Sequence, residues 1–466
     1  MSEPGLRRAL GVFEVAGLSV AMMAPTAAMA LNGALAATYA GAAVPLAFVL
    51  AFAIVGCVAF AFVTFARVYA SPASVGEFNA RGLSPFVGRL SGWMLLLVYI
   101  MFTAGSAAEC GAFAAAAFGY ASVVVSWIPF GIACLLIAAY VGTRPARTSS
   151  RVMLVLEGVS VVAIVLLSFW ILQRGGAHGI SIDPLLGFTF SPAPQTHALF
   201  GVSIQPLTTL SGIGLATIFS LLSFAGFEGA AVLGAESHEP TRTIPRAIVG
   251  GVILAGVLYV FVAFAQTIGF GTDAKGIAAF AASSSPLGDL ALRFTNVPIA
   301  ALISLGAAIS GFAGALAAAT AAARLFLTLA ATNHAPRVLA RIEAASGTPV
   351  SAYLFTIALG LAIMLGFAVA HVSGTDTFAA CGTIAVLALL LVYGSVQIAA
   401  LRLFGPKWSF VERAVPIVAL ILLAITFVAN VFPIPAGPAA LYPYLVIVWL
   451  GIGALIVRER TQARSS

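Results

Sequence analysis

Charge is what this sequence has least of. Of its 466 residues 8% are Asp, Glu, Lys or Arg and 61% are hydrophobic, whereas a soluble globular protein carries about 25% charged residues. Such a chain has too little polar surface to cover itself in water. Lysine occurs only as Lys275 and Lys407, in AKG and PKW contexts, so there is no GxxxxGK[ST] phosphate loop. ATP-driven pumping by this chain alone is thereby set aside, and the lack of a TVGYG run sets aside a potassium filter. The four cysteines, Cys57, Cys110, Cys134 and Cys381, fall inside apolar runs and read as small buried hydrophobes rather than a disulfide or metal framework. His178, His197, His238, His334 and His371 lack metal-ligand spacing. No nucleophile–base pair can be assembled either, which argues against an enzyme. MSEPGLRRALGVFEVAG lacks a small-residue cleavage site and reads as a tail leading into a first span, not as a removed signal peptide.

What is present is apolar sequence in runs of about 20 residues, the length a helix needs to cross a bilayer. Twelve spans are predicted, near Val12–Tyr39, Ala43–Phe65, Gly92–Phe118, Val123–Val141, Val152–Leu172, Leu210–Gly234, Ile248–Phe270, Val297–Leu325, Val350–Ala370, Thr377–Leu401, Val415–Phe432 and Tyr442–Val457. With the N-terminus inside, every Lys and Arg except Arg174, Lys275 and Arg293 falls on the cytoplasmic side, the asymmetry of cytoplasmic loops. The net charge of +7 is therefore a matter of topology, not a nucleic-acid footprint. The expected organisation is a cytoplasmic tail (1–11), five helices (12–172), an external loop (173–209), five more helices (210–401), two further helices (402–457) and a second cytoplasmic tail (458–466). Both termini face the cytoplasm of a bacterial-type inner membrane. Secondary transport is the leading class.

Two spans carry a weak point near mid-depth. Span one contains AMMAPTAAMALNG, with Pro25 near its centre, and span six contains SFAGFEG, with Gly226 near its centre. They open successive sets of five spans, and an odd repeat length inverts the second set. Secondary transporters place substrate between such discontinuous helices. Unwound backbone exposes N–H and C=O groups, tolerated at that depth only where they line a cavity. Pro25 fits the first position of a half-helix, which leaves the amides of Thr26, Ala27 and Ala28 free to meet a carboxylate.

Ser223-Phe224-Ala225-Gly226-Phe227-Glu228, followed by Glu236-Ser237-His238-Glu239-Pro240-Thr241-Arg242-Thr243-Ile244-Pro245-Arg246-Ala247, resembles the sixth-span signature of the amino acid–polyamine–organocation (APC) superfamily. Phe65–Tyr69 through Gly88–Trp93 is similar to that family's loop between spans two and three. Gly382-Thr383-Ile384 with Tyr393 is similar to its tenth span. The resemblance implies an all-α polytopic membrane protein of 12 transmembrane helices, a LeuT-like 5+5 inverted repeat with discontinuous helices 1 and 6. It implies proton- or sodium-driven uptake or exchange of amino acids or related amines, with no cofactor. By the same resemblance the substrate's carboxylate and amino groups meet Met23, Ala24, Pro25, Thr26 and Ala27 on one side, and Ser223, Phe224, Ala225, Gly226 and Phe227 on the other. Tyr99 falls where the family often places a pocket residue. Two departures stand out. Ala24-Pro25-Thr26 replaces the family's glycine-rich GSG. Leu222 stands where arginine-binding members place an aromatic side chain, which points to a neutral or apolar substrate side chain.

Intramembrane carboxylates are costly and for that reason functional candidates. Glu228 reads either as a gating or proton-sensing group or as a structural hydrogen-bond acceptor. Glu109, in SAAECGA, reads as a cap on a polar cavity or a coupling acid, among small neighbours that permit close helix approach. Glu157 reads as snorkelling toward, or paired with, Arg151 and Arg147. Ser160 falls where some members replace a sodium ion with lysine, so H+ and Na+ both stay open as coupling ions. The partners implied are a small-molecule substrate and the lipid bilayer.

Overall fold

The computed structural model describes residues 10–69, 74–187, 198–199, 202–203, 209–343, 346–432 and 437–462. Residues 1–9 and 463–466 of the predicted tails and part of the 173–209 loop lie outside the described residues, with Arg7, Arg8, His197 and Arg464.

In lipid a backbone must satisfy its own N–H and C=O groups, and helices supply nearly all the structure here. In chain order they are α1 (Val12–Met23), α2 (Pro25–Ala40), α3 (Val44–Ala66), α4 (Val75–Gly82), α5 (Pro85–Tyr120), α6 (Ile128–Gly142), α7 (Ala146–Gln173), α8 (Asp183–Leu186) and α9 (Thr209–Phe224). They continue as α10 (Gly229–Val232), α11 (Pro240–Phe270), α12 (Ala274–Ala282), α13 (Pro286–Phe294), α14 (Val297–Ala331), α15 (Val350–Val369), α16 (Gly374–Leu403), α17 (Phe410–Val431) and α18 (Tyr442–Gln462). A small antiparallel pairing joins Ala198–Leu199 to Val202–Ser203.

Each predicted run overlaps a helix. Ten stretches of the described residues are long and apolar enough to cross a membrane; one of them, Val12–Ala66, takes in α1, α2 and α3, and α6 is a shorter apolar helix of 15 residues. The chain is thus a multi-pass membrane protein. Helix ends differ from the sequence expectation where capping decides them. Helix α6 starts at Ile128 rather than Val123, because Pro129 needs no N–H partner only in a first turn. Helix α5 starts at Pro85, ahead of the expected Gly92, where the Ser84 hydroxyl accepts the Val87 amide at 3.3 Å. The short helices α12 and α13 were not legible as apolar runs.

Burial separates an inner bundle from a lipid-facing shell. In the most apolar windows of α5 and α16, 83% and 72% of residues are buried, against 22% and 17% in α17 and α18. Small residues bring the inner helices together: a Cβ on Gly311 of α14 would lie 3.1 Å from the Cys110 nitrogen and Ser106 oxygen of α5. On α7, Val155, Val159, Val162, Leu166 and Phe169 are exposed along one stripe, a face suited to lipid. Helix α18 is fastened to α5 by a reciprocal clasp. Trp93 Nε1 donates to the Trp449 carbonyl and Trp449 Nε1 to the Trp93 carbonyl, both at 3.0 Å, with the rings stacked at 4.6 Å.

Near the start of α11, Leu10 is strapped across the chain, its amide donating to the Glu236 carbonyl at 3.0 Å and its carbonyl accepting the His238 amide at 3.1 Å. Beside it lies a buried bidentate ion pair, Arg324 Nε to Glu236 Oε1 at 2.5 Å and Nη2 to Oε2 at 3.1 Å. Removing one partner of such a pair typically costs about 3–5 kcal/mol.

Candidate functional site

The first span is interrupted where the sequence puts Pro25. Lacking an N–H, proline cannot continue the α1 ladder, and its ring crowds the preceding turn. Helix α1 ends with the Ala24 amide donating to the Val20 and Ala21 carbonyls at 3.1 Å. Ala24 itself adopts a left-handed conformation, φ 42° and ψ 60°, and α2 begins at Pro25. A non-glycine residue held there costs on the order of 1–2 kcal/mol.

The sixth span is interrupted at Gly226. Helix α9 ends at Phe224, a turn follows, and α10 starts at Gly229. Gly226 has φ 108°, and a Cβ there would lie 2.6 Å from Met22 Cγ and 3.0 Å from the Met22 carbonyl carbon. Glycine is thus required twice over, by backbone conformation and by contact with the end of α1. The two interruptions touch.

Hydrogen bonds tie them further. Tyr259 of α11 donates to the Ser223 carbonyl at 2.8 Å and approaches the Met23 carbonyl at 3.4 Å. Ser19 Oγ donates to the Phe227 carbonyl at 2.9 Å, and Asn32 Nδ2 to Ser223 Oγ at 2.9 Å.

Glu228 is fully buried and accepts from three donors. Its Oε2 takes the Gly226 amide at 3.1 Å and the Tyr393 hydroxyl at 2.6 Å, and its Oε1 takes the Tyr99 hydroxyl at 3.3 Å. The carboxylate caps its own turn, clamped by tyrosines from α5 and α16. Tyr99 faces this clamp; toward the gap between the interruptions α5 instead presents Phe102, Ser106 and Glu109.

Glu157 reverses the sequence reading. It is 1% exposed, and Arg151 pairs instead with Glu14, Nε to Oε1 at 3.6 Å. Glu157 Oε1 accepts the Thr26 amide at 3.2 Å and the Ser310 hydroxyl at 2.9 Å. Ser310 Oγ accepts the Ala27 amide at 3.1 Å, and the Ala28 amide bonds the Ala24 carbonyl at 2.8 Å. The three amides expected to be free at the start of α2 are therefore all engaged, one of them by a carboxylate of the chain itself. Ser160 stands beside them, accepting from Thr26 Oγ1 at 3.1 Å and donating to the Glu157 carbonyl at 2.9 Å.

Between the interruptions lies a cavity of about 20 Å³. Met22, Met23, Ala24, Ala28 and Asn32 line it from the first span, Leu222 and Ala225 from the sixth, and Phe378 from α16, opposite the three α5 residues. Room for a water needs about 10–15 Å³ by the same measure, so the cavity is closed to anything larger. Leu222 lies on its wall, so the position named from sequence presents an aliphatic side chain. Among the described residues no group of three or more His, Cys, Asp or Glu gathers as a metal site. Asn32, Tyr259 and Ser310 were not singled out from sequence; each is a lone polar residue in an apolar run, and only its distant partner gives it meaning.

The chain is 25% identical over 462 residues to the uncharacterized transporter Rv1999c of Mycobacterium tuberculosis, covering 99% of this chain and 94% of that one. It is 24% identical over 345 residues to the branched-chain amino acid permease BcaP of Lactococcus lactis, covering 70% and 69%. It is 28% identical over 259 residues to the L-methionine/branched-chain amino acid exporter YjeH of Escherichia coli, covering 55% of each. Residues 10–455 match the family described as amino acid permease. With nearly its whole length in that match, the chain belongs to the amino acid permease family of the APC superfamily, a family of membrane transporters and not of enzymes.

Proposed function

We propose that the protein is a secondary active transporter that carries neutral, apolar amino acids across the cytoplasmic membrane by alternating access. The observation that carries the proposal is the meeting of two interrupted helices, at Ala24 and Gly226, around a cavity too small for any amino acid. Substrate enters such a space only if the helices around it move, which is the motion alternating access requires. The twelve spans form two inverted sets of five, 12–172 and 210–401, followed by two further helices, with both termini in the cytoplasm. On that orientation the Leu10 strap and the Glu236–Arg324 pair close the cytoplasmic end. Branched-chain substrates fit the aliphatic and aromatic wall of Met23, Leu222, Phe102 and Phe378, and BcaP and YjeH bear names that support that class.

Transport is coupled, as proton symport or exchange. A proton bound by Glu228 would turn a charged acceptor into a neutral, weaker one for Tyr99, Tyr393 and the Gly226 amide, and so would loosen the sixth-span turn. The test is uptake of labelled leucine into sealed proteoliposomes, with and without an imposed pH gradient. Saturable, concentrative uptake is the expected result. Binding without uptake would instead make the protein a sensor. Glu228→Gln is expected to flatten the pH dependence of uptake; an unchanged profile removes Glu228 from coupling.

A further inference from the structure

The cavity between the interruptions is unbalanced in its hydrogen-bonding groups. On the donor side, the amides of Ala24, Thr26, Ala27 and Ala28 are all engaged. So are those of Ala225, Gly226 and Phe227. On the acceptor side, two buried oxygens have no donor: Glu109 Oε1 and Asn32 Oδ1. Both residues are 1% exposed, and both line this cavity. Neither Lys, Arg nor His is among the lining residues. Buried acceptors without donors are costly, a carboxylate oxygen most of all.

A ligand that relieves this imbalance brings N–H groups and positive charge. From these groups we propose that Glu109 Oε1 and Asn32 Oδ1 hold the ammonium of the substrate, and that the ammonium, not the carboxylate, is the group a ligand must carry. An ammonium has three donors and no acceptor, and its bonds to a carboxylate are charge-assisted. The place where a substrate carboxylate was expected, the start of α2, already has one in Glu157. The inference rests on reading the paired interruptions as the substrate site, and it assigns Glu109 to substrate binding.

Three ligands that share one apolar chain test it: L-leucine, its decarboxylated amine 3-methylbutylamine, and its deaminated acid 4-methylpentanoate. Thermal stabilisation of the purified full-length protein reads binding, since a ligand of the folded state raises the melting temperature. Leucine and 3-methylbutylamine are expected to stabilise the wild type, and 4-methylpentanoate at equal concentration is not. Glu109→Gln is expected to weaken binding of both amines by about tenfold or more. Glu109→Asp, which keeps the carboxyl group on a shorter arm, is expected to weaken affinity while preserving the amine-over-acid order. Should Glu109→Gln fail to fold, the wild-type series and Glu109→Asp still decide. Binding of 4-methylpentanoate as strong as leucine overturns the assignment, as do unchanged amine affinity in folded Glu109→Gln and a wild type that binds none of the three.

Uptake separates this result from the transport reading. Glu109-dependent amine binding without uptake removes transport and leaves the assignment. Leucine uptake with unchanged affinity in Glu109→Gln leaves transport and removes the assignment.

Discussion

The two interruptions solve the same problem by different means. Each exposes backbone in the middle of a span, and each answers it with a buried carboxylate. At the sixth span the carboxylate is local: Glu228 lies two residues beyond Gly226 and bonds its amide. At the first span it is remote: Glu157 reaches the Thr26 amide from α7, across 131 residues of sequence. The local cap holds whenever its turn is formed. The remote cap holds only while α2, α7 and α14 are in register, so it reports on how those helices sit together. The first interruption is therefore the one whose hydrogen bonding a helix movement would change.

Four substitutions would break or sharpen that contrast, each read as melting temperature and leucine uptake of the purified protein. Gly226→Val is expected to do most, driving a branched side chain into Met22 at a positive φ, with loss of about 3 kcal/mol or more and of uptake. Glu228→Ala comes next. It strands the Gly226 amide and two tyrosine hydroxyls, at about 1–3 kcal/mol for each group left unsatisfied. Glu157→Ala is expected to cost less, because it strands two donors, the Thr26 amide and the Ser310 hydroxyl, rather than three, and Ser310 still serves the Ala27 amide. A larger loss from Glu157→Ala than from Glu228→Ala would reverse the ranking of local over remote. Smallest is Ala24→Gly, where relief of the left-handed strain offsets the entropy of glycine and the net change stays within about 1 kcal/mol. A large loss there would mean that Ala24 contributes by contact as well as by conformation.

Legibility in the sequence follows the same division between local and remote. Pro25 and Gly226 mark their interruptions because proline and glycine act on the backbone where they stand. Apolar runs placed the helices, and some starts shifted where a cap such as Ser84 or a first-turn proline such as Pro129 set the boundary, while α14 runs on to Ala331 past the expected Leu325. Glu157 was misread because its nearest charges in sequence, Arg147 and Arg151, suggested a local pair. A signal was present nonetheless. Met153, Glu157, Ser160, Ile164, Leu167 and Ile171 recur at spacings of three and four and form the buried stripe of α7, opposite the exposed valines. Reading that period would have turned Glu157 inward. Its partners Thr26 and Ser310 would have stayed out of reach, since nothing local in one sequence encodes a contact over such distances. The unpaired oxygens of Glu109 and Asn32 are less legible still, being defined by donors that do not arrive.

The clasp between Trp93 and Trp449 has an optical consequence. Two stacked indoles at 4.6 Å couple their transitions, so the seam between α5 and α18 carries a built-in chromophore pair. If α18 stays with α5 while the bundle rocks, near-ultraviolet circular dichroism will hold constant through the transport cycle. If the two part, the signal will collapse with the stack, and the last helix can be followed without a label.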